Sequence, residues 1–321
     1  MIKKILVTGS SGQIGSELVL ALRNIYGGEN VIASDKCSNA SEKIKSSGPF
    51  VKLDVLDKAT MASIIDDYQV DAIIHLAAIL SAVGEKNPML AWNININGLI
   101  NVLELAREKN LKRVLIPSSI AAFGPTTPVD NTPQKTILKP TTMYGVTKVA
   151  GELLADYYVA KYGLDIRGLR YPGIISNETL PGGGTTDYAV AIYFEAIKSG
   201  KFKCFLSENT MLPMMYMPDC LKATIDLFHA DFKKLKNHSD FNVGAFSVTP
   251  KLLAESIKKY IPNFEITYKP DFRQAIADSW PNSIDDSCAR DEWGWKPAFD
   301  LDTMTQDMLK VIEEKHKHGL I

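Results

Sequence analysis

Ile5-Leu-Val-Thr-Gly-Ser-Ser-Gly-Gln-Ile-Gly15 is the stretch that decides the fold. Ile5-Leu-Val-Thr8 is a short apolar run of strand composition, and from Gln13 onward apolar residues recur at helical spacing. Between strand and helix, glycines stand at 9, 12 and 15. The first permits a tight turn. The second lets backbone N–H groups approach a pyrophosphate, and the third lets helix and strand pack closely. The helix N-terminus adds free N–H groups and a partial positive charge for the phosphates. Gly9, Ser11, Gly12, Gln13, Ile14 and Gly15 are therefore the expected pyrophosphate cradle.

The alternation continues outward from this point. Val31-Ile-Ala-Ser34, Val51-Lys-Leu53, Ala72-Ile-Ile-His-Leu76 and Val114-Leu-Ile116 read as strands buried on both faces. Helical patterns over 13–25, 58–67, 89–109 and 142–162 fall between them, and Ile166-Arg-Gly-Leu-Arg-Tyr171 extends the series. This pattern predicts an α/β chain with a doubly wound parallel sheet of Rossmann type. After Tyr171 the character changes. Pro181-Gly-Gly-Gly184 is a loop by composition. Helical patterns near 187–199, 219–230, 249–260 and 301–316 then alternate with short strand-like pieces at 202–206, 241–243 and 264–268. The expectation is a dinucleotide-binding domain over 1–175 and a smaller C-terminal α/β lobe over 176–321, with some segments of the lobe returning to the sheet. The lobe would cover the carboxyl edge, where such sheets bind ligands.

A chain of 321 residues is long enough for this arrangement. Its formal net charge of −1 provides no basic field, so no nucleic-acid partner is expected. No apolar run approaches the roughly 20 residues of a membrane span, and no membrane partner is expected. The first residues enter a strand at once and leave no length for a signal peptide. Cys37, Cys204, Cys220 and Cys288 are far apart and read as reduced thiols, which points to the cytoplasm. No metal site is expected.

Asp35 ends the second strand. A carboxylate there can accept from both ribose hydroxyls and would repel a 2′-phosphate, which favours NAD over NADP. Lys36 beside it could offset that repulsion. Asp54, with Val55 next to it, follows the third strand and could accept from the adenine amino group. The small residues of Leu76-Ala-Ala78 would let the cofactor lie against backbone. His75 is expected in the core. Asn97, on the long helix, reads either as a brace for the active-site helix or as a surface polar residue.

Tyr144-Gly-Val-Thr-Lys148 opens a helical stretch, so phenol and ammonium share one face. A phenol ordinarily titrates near about 10, and a nearby cation lowers it by roughly 1–3 units, giving a base for an alcohol proton. Ser119 ends the fifth strand. The Gly-x-x-Gly-x-x-Gly spacing, Ile116-Pro-Ser-Ser-Ile-Ala-Ala-Phe-Gly124 and Tyr144-x-x-x-Lys148 together resemble the extended short-chain dehydrogenase/reductase superfamily, which includes NAD-dependent epimerases and dehydratases. The resemblance implies that Ser119 holds a substrate hydroxyl and Tyr144 takes its proton. It implies that Lys148 bonds the nicotinamide ribose and lowers the pKa of Tyr144. It also implies that Pro117, Tyr171, Pro172 and Ile174 line the cofactor.

Epimerases of this superfamily usually carry asparagine where Gly173 stands, and an arginine and a histidine near Met211-Leu-Pro-Met-Met-Tyr-Met-Pro-Asp219. Both cations are missing here, and a diphosphate needs cations. Leu180-Pro-Gly-Gly-Gly-Thr-Thr-Asp-Tyr-Ala189, Ala78-Ile-Leu-Ser-Ala-Val-Gly-Glu85 and Met214-Met-Tyr-Met-Pro-Asp219 resemble the L-threonine 3-dehydrogenases of the extended short-chain type. That resemblance implies that Ser81 and either Thr185 or Thr186 contact the amino acid, with Asp187 also implicated. Hydroxyls and N–H groups can hold a carboxylate, and an aspartate can hold an ammonium. Asp187 also reads as a helix cap. Trp280 reads as a wall of the pocket or as a structural tryptophan. The implied reaction converts L-threonine and NAD to 2-amino-3-oxobutyrate and NADH, with the ketone passing to a CoA-dependent lyase. The glycine triplet would hinge a closing lid. A sugar-nucleotide epimerase or dehydratase, a dehydrogenase of another small 3-hydroxy acid and a non-catalytic NAD-sensing regulator stay open. The family habit also implies a homodimer, formed through the helices at 89–109 and 142–162.

Overall fold

Strands β1 (Ile5–Thr8), β2 (Val31–Asp35), β3 (Phe50–Lys52), β4 (Ala72–His75), β5 (Arg113–Ser119) and β6 (Ile166–Tyr171) lie where the apolar runs predict them. The structure, a computed structural model, describes residues 2–38, 40–180 and 182–321. Pro181 of the predicted loop thus lies outside the described residues. Helices α1 (Gln13–Tyr26), α2 (Glu42–Ser46), α3 (Lys58–Tyr68), α4 (Ser81–Lys86), α5 (Pro88–Trp92), α6 (Gly98–Glu108) and α7 (Met143–Tyr162) fall between or beside these strands. The rest of the chain adds strands β7 (Gly173–Ile175), β8 (Lys201–Cys204), β9 (Leu212–Tyr216), β10 (Phe241–Asn242), β11 (Phe246–Val248) and β12 (Glu265–Tyr268). It also adds helices α8 (Tyr188–Lys198), α9 (Met217–His229), α10 (Pro250–Lys258), α11 (Arg273–Ala277), α12 (Ser287–Trp293) and α13 (Leu301–Lys317).

The central sheet has the order β10-β6-β5-β4-β1-β2-β3, and its neighbours pair in parallel. Alternate residues of a strand face opposite sides. Leu6, Ile32, Ile73 and Val114 pack on one side with Leu99, Val102 and Leu103 of α6. Ile5, Val7, Ala33 and Ile74 pack on the other with Leu18, Val19 and Leu22 of α1. Both faces are covered, so the strands read as unbroken apolar runs. Each of these aliphatic side chains is fully or almost fully buried, which is worth about 1.5–3 kcal/mol apiece for the valines, leucines and isoleucines.

The chain winds from β1 to β3 in one direction and from β4 to β6 in the other. That reversal leaves a crevice at the carboxyl ends of β1 and β4. Strand β10 rejoins the sheet beside β6, and α9 packs on α1, so the segment between β9 and β11 belongs to the sheet rather than to the covering lobe. Tyr188, Tyr193, Trp280, Met304 and Ile312 pack in one core with Ile120 and Phe123, which follow β5. The β11-β9-β7 sheet was not visible in the sequence. Strand β9 carries Pro213 and two methionines, which lack the strand signature.

The helical pattern over 89–109 is not one helix. Residues 93–97 form a π turn between α5 and α6. Such turns re-aim the side chains that follow and often sit at functional sites.

Gly9 adopts φ +68°, and a Cβ there would lie 2.6 Å from the Ala77 nitrogen. The β1 and β4 ends can therefore meet only at a glycine. Gly9→Ala is expected to lower stability by about 1–3 kcal/mol, read as a reduced Tm in thermal unfolding.

Candidate active site

A cavity of about 230 Å³ opens in the crevice. The first turn contributes Gly9, Gly12, Gln13, Ile14 and Gly15. Leu76 and Ala78 follow β4, Pro117 and Ser119 end β5, and Tyr144 and Lys148 project from α7. Tyr171, Pro172 and Ile174 come from the β6–β7 region, and Ser81, Thr185, Thr186, Asp187 and Trp280 close the far side. These predicted residues are brought together from seven separate stretches of chain. A larger open groove of about 880 Å³, beside Ile2, Tyr26 and His229, holds none of them.

Gly12 leads into α1 without a side-chain cap, so the helix N-terminus keeps its first amides for an anion. A Cβ on Gly15 would lie 2.3 Å from the Gly9 oxygen, so the turn is closed tightly on itself. The Ser10 and Ser11 hydroxyls are buried without a hydrogen-bond partner among the described residues. Unpartnered donors beside free amides suit a pyrophosphate.

Asp35 stands at the end of β2, where its Oδ2 accepts from the Ser11 amide at 3.0 Å and its Oδ1 from the Cys37 amide at 3.2 Å. Lys36 does not point back toward it. Its Nζ lies 3.0 Å from Asp54 Oδ2. Asp54 also accepts from the Leu56 amide at 3.0 Å, and this bond, with Lys36, holds its carboxyl below the usual range. The Asp54 carboxylate expected to meet adenine is thus engaged by Lys36 in an exposed ion pair. Val55 is buried and packs against Gly98. The Ala77 amide reaches the Thr8 hydroxyl at 3.5 Å.

Asn97 is exposed and donates to Asn93 Oδ1 at 2.6 Å, so it braces nothing in the site. The π turn gives that role to Asn95. Its Oδ1 accepts from the Ile79 amide at 2.8 Å, and its Nδ2 donates to the Ile79 carbonyl and to Thr147 Oγ1, both at 3.1 Å. Asn95 thereby ties the segment after β4 to α7. A regular helix would have put the two asparagines on different faces, with no sequence signal to choose between them.

Tyr144 and Lys148 are half-buried at the cavity wall, and Lys148 Nζ lies 5.2 Å from the phenol ring centre. Nζ donates to the Pro117 carbonyl at 2.8 Å. Burial pushes the Tyr144 phenol up to about 12, and a hydrogen bond from Ser119 opposes the shift. Burial pulls Lys148 down to about 8, opposed by the charge of Glu152. The phenol thus lies above its ordinary value rather than below it, because desolvation outweighs the hydrogen bond from Ser119. His75 is buried as expected, takes a 2.8 Å hydrogen bond with Thr8, and stays neutral because burial pulls it down to about 3.

At the substrate end, Ser81 and Thr185 are both buried and their hydroxyls lie 3.1 Å apart. Asp187 precedes α8 but makes no capping bond to it. Its Oδ2 accepts from the Gly183 and Gly184 amides, each at 2.8 Å, so it holds the glycine loop closed on the cavity. Gly173 has no room for a side chain: a Cβ would lie 2.3 Å from Met214 Sδ and 2.8 Å from Thr186 Cγ2. Trp280 is buried in the core it shares with Tyr188 and Tyr193 while also lining the cavity. Lys148 is the cation among the residues lining the cavity. Ser118, Leu80 and Ile120 line it too and were not anticipated. No group of three or more His, Cys, Asp or Glu is placed to hold a metal among the described residues.

Residues 5–244 match the NAD dependent epimerase/dehydratase family. The chain belongs to that family. An uncharacterized epimerase/dehydratase of Staphylococcus saprophyticus is 51% identical over 98% of both chains. The structure of an L-threonine dehydrogenase from Clostridium difficile is 55% identical, with 98% of each chain covered and a TM-score of 0.95. That of a monomeric L-threonine 3-dehydrogenase from a metagenome is 48% identical, with 97% of this chain and 99% of that one covered and a TM-score of 0.93.

Loss of the Asp35 carboxylate removes charge-assisted hydrogen bonds of about 1.5–3 kcal/mol, so Asp35→Ala should raise the KM for NAD roughly tenfold to a hundredfold. Steady-state kinetics with NAD and NADP would check this, and the preference between them should narrow.

Proposed function

We propose that this protein is an NAD-dependent L-threonine 3-dehydrogenase. The observation that carries the reading is a half-buried Ser119–Tyr144–Lys148 group facing a small pocket walled by Ser81, Thr185 and a side-chain-free Gly173. The pocket suits a compact amino alcohol. An asparagine at 173 would have to displace the Met214 and Thr186 side chains, and the lining offers no arginine to a sugar nucleotide. The same relatives at about half identity carry the L-threonine dehydrogenase description.

In the proposed mechanism, Ser119 donates to the β-hydroxyl oxygen and fixes its direction. Tyr144, as phenolate, takes the hydroxyl proton. Bound NAD supplies the hydride acceptor for the β-carbon, giving 2-amino-3-oxobutyrate and NADH. Lys148 supplies positive charge to the phenolate and bonds the nicotinamide ribose. Ser81 and Thr185 hydrogen-bond the carboxylate and Asp187 faces the ammonium. Trp280 and the loop at 182–184 exclude water from the pocket. Asp35 and the amides of 12–15 hold the dinucleotide.

Residues 1–175 with the returning segment around β10 form the cofactor-binding body, and most of 176–321 forms the substrate lobe. The cytoplasm suits its four free thiols. A homodimer would cover Met89, Leu90, Leu153 and Tyr157, which are between half and nearly three-quarters exposed or close to it on α5 and α7. One related enzyme is described as monomeric, so the state needs measurement. Sedimentation at micromolar concentration should give twice the chain mass of 35.4 kDa, and a single chain's mass would remove the dimer.

Tyr144→Phe should lower kcat by at least about a thousandfold, within the range of acid–base catalysis, while NAD still binds by fluorescence titration. Across L-threonine, L-serine, 3-hydroxybutyrate and UDP-glucose, NADH should form fastest with L-threonine. A lead for 3-hydroxybutyrate would move the reading to another 3-hydroxy acid.

A further inference from the structure

Behind the catalytic pair lies a second cavity of about 30 Å³, lined by Lys148, Thr147 and Glu152 of α7, Ser118 of β5, His75 of β4 and Asn95. It has room for one water molecule and more than enough polar partners to hold it. Tyr144, Lys148 and Glu152 are spaced four residues apart and form one stripe along α7. Glu152 is buried, and its carboxylate is fixed from two other strands. Arg170 of β6 donates to it from Nε at 2.9 Å and from NH2 at 2.7 Å, and Ser118 donates to the same Oε1. Ser118 is the neighbour of Ser119. One carboxylate thus touches the strand that aims Ser119 and faces the ammonium that serves Tyr144.

We propose that Glu152 is a positioning residue for the reaction: held rigid by Arg170 and Ser118, it keeps the Lys148 ammonium charged across the water-sized cavity and so sustains the Tyr144 phenolate. The inference rests on Tyr144 being the base. The groups that surround it are few. Tyr144 and Asp156 share its helix, His75 faces Lys148 from β4, and Arg170 backs Glu152 from β6. Asp240, before β10, accepts from Arg170 NH2 at 3.2 Å. Burial pushes Asp240 up to about 6, so above neutral pH Arg170 is compensated by two carboxylates. His75 stays neutral throughout. The field of Glu152 opposes the desolvation that pulls Lys148 down.

The sign of the effect follows from the pair titrating together. The productive form holds one proton, on Lys148, with Tyr144 ionised. As buried, the phenol is the more basic group. The first proton lost from the doubly protonated pair therefore leaves Lys148, and a minor share of the singly protonated pair is productive. Removing the Glu152 charge lowers Lys148 further. The acid limb of kcat then moves to lower pH while the plateau falls.

The test is the pH profile of kcat for Glu152→Gln beside the wild type, with L-threonine and saturating NAD. The acid limb should move down by about one pH unit and the plateau should fall roughly tenfold, the two being the same shift seen twice. Glu152→Asp, which keeps the charge, should leave the limb within about half a unit of wild type. If E152Q does not accumulate as folded protein, the double variant Glu152→Gln/Arg170→Gln removes the buried pair as a neutral unit and should show the same direction. A limb that stays in place or moves upward in a folded variant overturns the proposal, because a purely structural role changes Tm and plateau alone. An equal displacement in E152D overturns it as well. Wild-type turnover and Tyr144→Phe test the base itself, so failure there is distinguishable from failure here.

Discussion

The structure depends on the close seating of the α7 N-terminus against the end of β5. A Cβ on Gly145 would lie 2.2 Å from the Ala121 oxygen, so the helix can approach only where its third residue after the Thr142 cap is glycine. Thr142 accepts from the Gly145 amide at 3.1 Å, and Glu85 of α4 accepts from the Met143 amide at 2.7 Å. The first turn is held from two sides before Tyr144 begins. This contact brings Ser119 to the phenol and seats Lys148 against the Pro117 carbonyl. Its consequence is electrostatic: desolvation pushes the phenol up to about 12 and pulls the ammonium down to about 8, so the two values are driven apart. The lysine therefore gives up its proton before the phenol does, and the charge of Glu152 opposes that loss.

Much of this was legible in the sequence, for a physical reason. Strands covered on both faces must be apolar throughout, so β1, β2, β4, β5 and β6 stood out as runs, and glycines mark where backbones nearly touch. The Gly9–Gly15 turn, Ser119, Tyr144 and Lys148 all line one cavity. Asn97 was the wrong asparagine because a π turn has no residue pattern of its own. Lys36 and Asp54 could not be paired in advance, since the pairing depends on how the ends of β2 and β3 turn. The fall of Lys148 and the rise of Tyr144 depend on burial, which spacing alone does not reveal.

The family match establishes the kind of machine, and the substrate pocket distinguishes this chain within it. Gly173, Met214 and Thr186 come from three separate segments, and together they fill the place of a larger side chain. Arg170 and Glu152 were present in the sequence as a charged pair 18 residues apart, but their meaning appears only when β6 lies beside α7. Buried ions of this sort are costly unless paired, so their presence directly behind a catalytic lysine argues for a role beyond packing.

The account centres on hydride leaving the β-carbon of L-threonine. Turnover of L-threonine carrying deuterium at that carbon, with the reduced cofactor examined by mass spectrometry, tests this most directly. The account predicts that the deuterium appears in the NADH formed. Reduced cofactor without deuterium, or threonine left unchanged by an enzyme that turns over another alcohol, would contradict it.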